Sequence, residues 1–216
     1  LTEYDRETLD RDRCGQQSLV HLPPFLPSRT LPQPSALDGP ILTAGMMREG
    51  DKLASYRIIA QSLQHLTGDW RLEIAGDGPA RASVEALMAP YSERVQFLGQ
   101  LDRSALSEAY QRASLFLWPG VNEAFGMVYL EAQAHGLPIA AQDRPGVRDI
   151  LVPGSYPPPE SGAAALAAEI DRLLADPVLR ARFGGDGMKL IARNHLAPAA
   201  SARFWEAVRP LLEAAP

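Results

Sequence analysis

The sequence is poor in cysteine and in the residue patterns that bind structural metals. Cys14 has no second cysteine with which to form an internal disulfide. The four histidines and this cysteine do not occur at the spacing of a zinc site. These shortages exclude a disulfide-stabilised fold, and they indicate a reducing compartment and no structural metal.

Long apolar runs and an excess of positive charge are also absent. No run approaches the roughly 20 residues of a membrane-spanning helix, and no basic-then-apolar export signal opens the chain. The formal net charge is -5, so no general positive field exists to attract nucleic acid. We expect a soluble protein without a transmembrane segment or nucleic acid partner. Its expected location is the cytoplasm, either free or peripheral to the inner face of the membrane.

The chain of 216 residues, 46% of them hydrophobic, is long enough for one sizeable core with added elements. Six prolines between residues 21 and 40 exclude a helix there. We divide the chain into an N-terminal tail with a Pro-rich linker (1–40), a main domain (41–196) and a C-terminal amphipathic helix (197–216). Residues 21–26 could add one short strand, and a disordered tail is the alternative for the whole N-terminal part.

From Ile41 onward, short apolar runs alternate with segments of helical period. The runs are ILTA, RLEIA, VQFL, LFLW and PIAA, and helices are predicted at about 51–66, 79–89, 103–113 and 126–135. Continuous apolar strands are typical of a parallel sheet that is covered by helices on both faces. The predicted fold class is α/β, a doubly wound Rossmann-like parallel sheet with extra C-terminal helices.

Glycine or proline follows each predicted strand, and right-handed crossovers place all of these loops at the carboxyl edge of the sheet. The polar residues in the loops should therefore converge there. They are Arg48, Lys52, Asp77, Gln100, Asn122, Glu123, Gln142, Asp143 and Arg144. Such a mixture of cations and hydroxyl-binding groups suits a phosphorylated sugar.

The segment NEAFGMVYLEAQAHGLP, residues 122–138, carries the strongest signal of chemistry. Glu123 precedes a predicted helix that begins near Phe125 and Gly126, and Glu131 lies inside it, eight positions further on. A helix N-terminus favours a phosphate, and each carboxylate could accept two hydroxyl hydrogens from a separate sugar ring. The alternative is a solvated loop acid and a helix-surface residue.

Several motifs resemble those of retaining glycosyltransferases of the GT-B architecture, of the group 1 or family 4-like type. They are LEIAGDGP, VQFLGQL, the glutamates around EAFG, and GLPIAA. The similarity covers about residues 41–195 and corresponds to the C-terminal, donor-binding domain of that family. It implies a nucleotide-sugar-binding domain. The reaction implied is metal-independent transfer of a hexose from a UDP or GDP sugar to an acceptor hydroxyl, with retention and without a cofactor.

The resemblance also implies roles for individual residues. Glu123 contacts the transferred sugar, and Arg48 and Lys52 neutralise the departing diphosphate, which makes these three the catalytic candidates. Glu131 holds the ribose. The donor-binding candidates are Gly45, Gly76, Gln100, Leu101, Phe125, Gly126, Met127, Val128 and Glu131. Two departures from the family pattern are Met46-Met47 in place of Arg-Leu, and Gly120 in place of a common serine.

GT-B enzymes hold the acceptor on a second, N-terminal domain, and this chain, which begins with Leu1, has room for one domain. We expect an incomplete fragment that binds nucleotide weakly and turns over little, with an acceptor glycan or lipid-linked glycan held by the missing domain. The apolar stripe of the last helix, which Pro210 should kink or shorten, would face a partner. A GT-B nucleotide-sugar epimerase and a non-catalytic nucleotide-sugar-binding or interaction domain remain alternatives.

Overall fold

The structure, a computed structural model, describes residues 3–15, 17, 19–124 and 126–213. Five strands form one sheet: Ile41–Ala44 (β1), Leu72–Ala75 (β2), Val95–Gly99 (β3), Leu115–Leu117 (β4) and Ile139–Ala140 (β5). Their spatial order is β3-β2-β1-β4-β5, and every pairing is parallel. The predicted doubly wound parallel sheet is confirmed.

The helices of the described residues alternate with these strands and then continue to the C-terminal end. They are Glu3–Asp12 (α1), Asp51–Leu63 (α2), Arg81–Met88 (α3), Arg103–Arg112 (α4), Met127–Ala134 (α5), Gly162–Ala175 (α6), Pro177–Asn194 (α7) and Ala197–Glu213 (α8). Phe125, near which the sequence predicted the start of α5, lies outside the described residues. Within the described ranges, no helix has the length and apolar character needed to cross a membrane.

The core lies between the sheet and the helices on its two faces. All residues of β1 are buried, and the hydroxyl of Thr43 donates a hydrogen bond to the carbonyl of Leu117 at 2.7 Å. Helix α2 packs against α3 and α6, whereas α5 packs against α7. The inward face of α2 is buried, including Leu53 and Tyr56. Apolar strands therefore lie inside two helical layers, as their composition predicted.

Strand β1 lies at the centre of the sheet, with β2 on one side and β4 on the other. Along the chain, β2 and β3 are added outward on one side of β1, and β4 and β5 are then added on the other side. This is the switch point of a doubly wound sheet, where the loops after neighbouring strands diverge and leave a crevice. Residues 45–50 follow β1, and residues 118–126 follow β4. The fold thus brings Arg48 and Lys52 near the switch point from one side and Glu123 from the other.

The segment before β1 packs against the domain, and we call residues 24–36 the N-terminal strap. The amide of Leu26 donates to the carbonyl of His195, and that of Ser35 donates to the carbonyl of His135, both at 2.8 Å. The short strand predicted for residues 21–26 is reduced to an isolated bridge between Leu26 and Leu196. The prolines at 23, 24 and 27 lack the N–H groups that a longer ladder would need.

Helix α8 continues through Pro210 to Glu213, so this proline does not shorten the helix, and the alternative that it kinks the helix stays a prediction. Pro210 has no N–H to donate to the carbonyl of Glu206, four residues earlier, so the helix lacks one hydrogen bond near its C-terminal end. The predicted apolar stripe is largely exposed: 48% for Phe204 and 50% for Trp205. Their rings contact each other edge to face at 5.5 Å.

Candidate functional site

A cleft of about 590 Å³ lies at the carboxyl edge of the sheet, beside the switch point. Its lining comes from the loops after β1, β2 and β3 and from the first turn of α5. It includes five of the predicted donor-binding residues, which are Gly45, Gly76, Gln100, Leu101 and Val128. The structure therefore brings together residues that lie up to 83 positions apart in the chain (128 − 45 = 83).

Close backbone contacts shape this cleft. Gly76 has φ of 141°, and a Cβ atom there would overlap the carbonyl oxygen of Gly45. Gly78 has φ of 148°, and a Cβ atom there would overlap the carbonyl of Met47. Both glycines are required because the loops after β1 and β2 touch through their backbones. Met47 is buried and Met46 is exposed in the cleft, so this departure from the family pattern leaves an apolar side chain at the rim.

The N-terminus of α5 meets the cleft at Val128. Gly126 is the N-cap, in the left-handed region with φ of 52°, and no side chain caps the helix. A Cβ atom on Gly126 would overlap the ring of Tyr129, so glycine is needed for its lack of bulk as well as its conformation. Met127 is partly exposed at the first helical position. The free N–H groups and positive dipole end of this helix suit a phosphate.

Glu123 and Lys52 contact each other across the switch point. The ammonium of Lys52 donates to Oε1 of Glu123, and so does the indole N–H of Trp118, at 2.8 Å. The side chain of Lys52 is 21% exposed, and that of Glu123 is 11% exposed. Two of the three catalytic candidates are thus adjacent. In the described part of the chain, Glu123 is not among the residues that line the cleft.

Glu131 lies in a second cavity, of about 250 Å³, between α4, α5 and the N-terminal strap. The hydroxyl of Tyr110 donates to its Oε2 at 3.1 Å. Burial raises the pKa of Glu131 above its usual value, and the Tyr110 hydrogen bond and the charge of Arg103 oppose that shift. Leu106 lines both cavities, so they adjoin. Glu131 lines the second cavity, whereas Glu123 is not among the described residues that line either one.

Arg48 is exposed, and within the described ranges its side chain has no hydrogen bond or ion pair. Most of the other predicted rim groups have a hydrogen-bond or ion-pair partner within the described part of the chain. Arg144 donates to Gln142 at 2.6 Å, and Arg148 pairs with Asp143 at 2.9 Å. Arg48 is therefore a rim cation that is available to an anionic ligand.

Sequence reasoning missed the two aromatic residues that hold the glutamates. Trp118 is completely buried directly after β4, and Tyr110 is buried in the last turn of α4. Both look like ordinary core residues in the sequence, because nothing local shows that their polar atoms reach a carboxylate. His135 is also buried: it stacks on Tyr110 at 4.9 Å, and its Nε2 lies 2.9 Å from the Ser107 hydroxyl.

A metal site is not evident in the described ranges, where no three His, Cys, Asp or Glu side chains group closely enough to hold an ion. The candidate site consists of an apolar cleft and the N-terminus of α5, with two hydrogen-bonded carboxylates and two cations. The carboxylates are Glu123 and Glu131, and the cations are Arg48 and Lys52. The metal independence inferred from the family stays a prediction.

The chain is similar to curated glycosyltransferases. A phosphatidyl-myo-inositol mannosyltransferase of Mycobacterium leprae is 35% identical over 104 residues, which are 47% of this chain and 28% of that protein. A GDP-mannose-dependent alpha-mannosyltransferase of Mycolicibacterium smegmatis is 33% identical over 119 residues, which are 54% of this chain and 30% of that protein. The chain thus spans about a third or less of the length of these relatives.

Solved structures share the fold. A sucrose-phosphate synthase from Thermosynechococcus elongatus superimposes with a TM-score of 0.78 at 25% identity, over 100% of this chain and 58% of that one. The family described as "Glycosyl transferases group 1" matches residues 54–189, well over half of the chain. The matched range contains all four motifs on which the resemblance depended, including Glu123 and Glu131. This chain belongs to the glycosyl transferases group 1 family.

Proposed function

We propose that this chain binds the nucleoside diphosphate sugar of a retaining hexosyl transfer reaction. The observation that carries the proposal is the cleft at the carboxyl edge, which joins Gly45, Gly76 and Gln100 to the uncapped start of α5. A volume of about 590 Å³ falls in the range of small-molecule sites. The helix start supplies N–H donors for a diphosphate, and the apolar lining suits a base and a sugar face.

The ligand would lie along the two adjoining cavities. The base would contact the backbone near Gln100 and Leu101, and the ribose hydroxyls would reach Glu131 past Leu106. The diphosphate would lie at the start of α5, and the transferred sugar would meet Glu123 at the switch point. This order matches the sequence of groups in a nucleoside diphosphate sugar, from base to hexose.

Lys52 and Arg48 supply positive charge where the leaving diphosphate develops negative charge. Fixed cations and helix N–H groups at such a position stabilise the transition state. The acceptor hydroxyl would attack from the side of the departing diphosphate, which takes the proton, so the configuration is kept. Glu123 would position the sugar and needs no covalent role. A bound phosphate would compete with Glu123 for the ammonium of Lys52.

The relatives' names favour one donor over others. One is called GDP-mannose-dependent and another is a mannosyltransferase, so we propose GDP-mannose as the first donor to test. The acceptor, a glycan or lipid-linked glycan, would be held by a second domain that faces this rim.

The test is calorimetric titration of the chain with GDP-mannose, UDP-glucose and UDP-galactose, each beside its free nucleoside diphosphate. We expect one nucleotide to bind, and Glu131→Ala to weaken its binding about a hundredfold, because two ribose hydrogen bonds to a charged group are lost at about 1.5 kcal/mol each. Glu108→Ala, which removes an exposed carboxylate on α4, is the matched control and should leave binding unchanged. Absence of binding by every nucleotide would reject the proposal.

Two further outcomes separate the alternatives. An epimerase would convert the nucleotide sugar without an added acceptor, whereas a transferase needs one for turnover beyond hydrolysis. A non-catalytic domain would bind nucleotide, but Glu123→Gln would not change the biological output of the protein that contains it.

A further inference from the structure

Trp118 lies at the centre of the switch point, directly after β4, and its side chain is completely buried. Its backbone is held from both sides. The amide of Trp118 donates to the carbonyl of Ala140 at 3.0 Å, and its carbonyl accepts from the hydroxyl of Tyr129 at 2.9 Å. Strand β5 and helix α5 therefore fix the residue from which the indole projects.

The indole ring itself connects the cleft to Glu123. Tyr56 contacts it edge to face at 5.3 Å, and the Tyr56 hydroxyl donates to the carbonyl of Gly45 at 2.8 Å. A Cβ atom on Gly45 would lie 2.9 Å from the far edge of the indole. The ring thus packs beneath the Gly45 turn, and its N–H points at the Glu123 carboxylate.

Both contacts of that carboxylate fall on the same oxygen. Trp118 and Lys52 donate to Oε1, and within the described residues Oε2 accepts no hydrogen bond. We propose that Trp118 is a positioning residue that orients Glu123 so that Oε2 is free to accept a hydroxyl of the transferred sugar. This inference rests on the proposed function, because it concerns the same donor site.

The two groups that donate hydrogen bonds to Oε1 respond differently when a nucleotide sugar binds. A phosphate attracts the charged ammonium of Lys52 more strongly than it attracts the neutral indole N–H, so the indole N–H remains on Glu123. The indole therefore keeps the carboxylate oriented after Lys52 turns to the diphosphate. The 5.3 Å between the ammonium and the Trp118 ring lets the lysine move along the ring face while keeping a cation–π contact.

The experiment compares Trp118→Phe with Trp70→Phe. Both tryptophans are buried, and Trp70 lies beside Tyr91 and Arg94 before β2, away from the cleft. The probes are GDP-mannose and UDP-glucose, each measured beside GDP or UDP by calorimetry. We expect Trp118→Phe to weaken binding of the nucleotide sugar about tenfold, since a hydrogen bond to a charged group is lost. The affinity of Trp118→Phe for GDP or UDP should stay within about twofold of that of the unmodified chain. Trp70→Phe should change neither the affinity for the nucleotide sugar nor that for the diphosphate.

If Trp118→Phe weakened binding of the diphosphate and of the nucleotide sugar equally, the cause would be a general loss of packing. That result would overturn the inference. A second readout does not depend on the stability of Trp118→Phe. In the ¹H–¹⁵N spectrum, Glu123→Gln should shift the indole N–H signal of Trp118 and leave those of Trp70 and Trp205 in place. An unmoved Trp118 signal would also overturn it. Failure of the unmodified chain to bind any probe would reject the proposed function together with this inference, whereas normal binding by Trp118→Phe would reject the inference alone.

Discussion

Gly120 shows how a single departure from the family pattern is explained by its neighbours. Its φ is 80°, and a Cβ atom there would lie 2.5 Å from the hydroxyl of Tyr129 and 2.6 Å from a methyl group of Val147. That tyrosine hydroxyl donates to the carbonyl of Trp118, so it cannot move away without losing a buried hydrogen bond. Serine is excluded here by space as well as by backbone conformation.

We expect Gly120→Ala to lower the free energy of unfolding by roughly 3 kcal/mol, from overpacking and left-handed strain combined. Gly68→Ala is the matched control, because Gly68 has φ of 76° and nothing within 4 Å of its Cβ position. It should cost only about 1 kcal/mol, from strain alone. Urea denaturation measures both. Equal losses would mean that the contact with Tyr129 and Val147 does not matter.

Glu131 should make the free energy of unfolding depend on pH. The direction of this dependence is opposite to that produced by an acid in a salt bridge. Burial raises its pKa above the usual 4.5, so the folded state holds the proton more tightly than the unfolded state. Stability from this group is greatest below the unfolded pKa and is lost as pH rises through the folded pKa. Glu131→Gln has no such loss, since the amide does not ionise.

The free energy of unfolding of Glu131→Gln, relative to the unmodified chain, should therefore increase between about pH 4 and about pH 7. The measurement is urea denaturation of both proteins across this range. Glu108→Gln, which replaces an exposed carboxylate on the neighbouring helix, serves as the control for the loss of one carboxylate. A relative stability that falls with rising pH would show that Tyr110 and Arg103 outweigh burial.

At the scale of elements, Gln133 attaches α5 to the segment that follows β5. It is 1% exposed, its side-chain amide donates to the carbonyl of Ile150 at 2.9 Å, and its oxygen accepts from the amide of Val152 at 3.0 Å. Since Ile150 also approaches Gly126, this attachment helps to fix the N-terminus of α5.

Gln133→Ala leaves a buried carbonyl and a buried amide without partners, and each such group costs about 1–3 kcal/mol. We expect the free energy of unfolding to fall by roughly 3 kcal/mol, as measured by thermal and urea denaturation. Gln111→Ala removes only a 3.4 Å contact with Ser107 and should change it by less than about 0.5 kcal/mol. A small effect at Gln133 would mean that water replaces its hydrogen bonds.

The strands and most helices could be predicted because the local pattern of apolar residues indicates which segments are buried. ILTA and LFLW are apolar because both faces of β1 and β4 are covered, and Asp176 before Pro177 caps α7 by accepting from Leu179 at 2.9 Å. The N-terminal strap could not be predicted. Its position depends on pairing between Leu26 and Leu196, which are distant in the chain and carry no local signal.

The candidate site was predictable in its backbone and less so in its side-chain partners. The glycines at 45 and 76 and the start of α5 follow from the fold, so their convergence in one cleft follows from topology. The contacts of Glu123 with Trp118 and of Glu131 with Tyr110 depend on side-chain directions across different elements. No spacing within one segment encodes those directions.

For the whole molecule, the net charge of -5 means that a dianionic ligand must be held by local charges against the overall field. The sequence contains two lysines, which allows this to be tested at constant net charge. Lys52 lies at the switch point and contacts Glu123, whereas Lys189 is 80% exposed on α7 and pairs with Asp186. Replacing either by glutamine changes the net charge equally.

If Lys52 binds the diphosphate, Lys52→Gln should weaken binding of GDP or UDP about tenfold, as expected for the loss of one charge-assisted hydrogen bond. Lys189→Gln should leave the affinity within about twofold, because an exposed charge far from the site is screened at physiological salt. Calorimetry at about 0.15 M salt measures both variants. Equal weakening by the two substitutions would show that overall charge governs binding. If neither variant binds more weakly than the unmodified chain, the diphosphate is held by the start of α5 and Arg48 without help from Lys52.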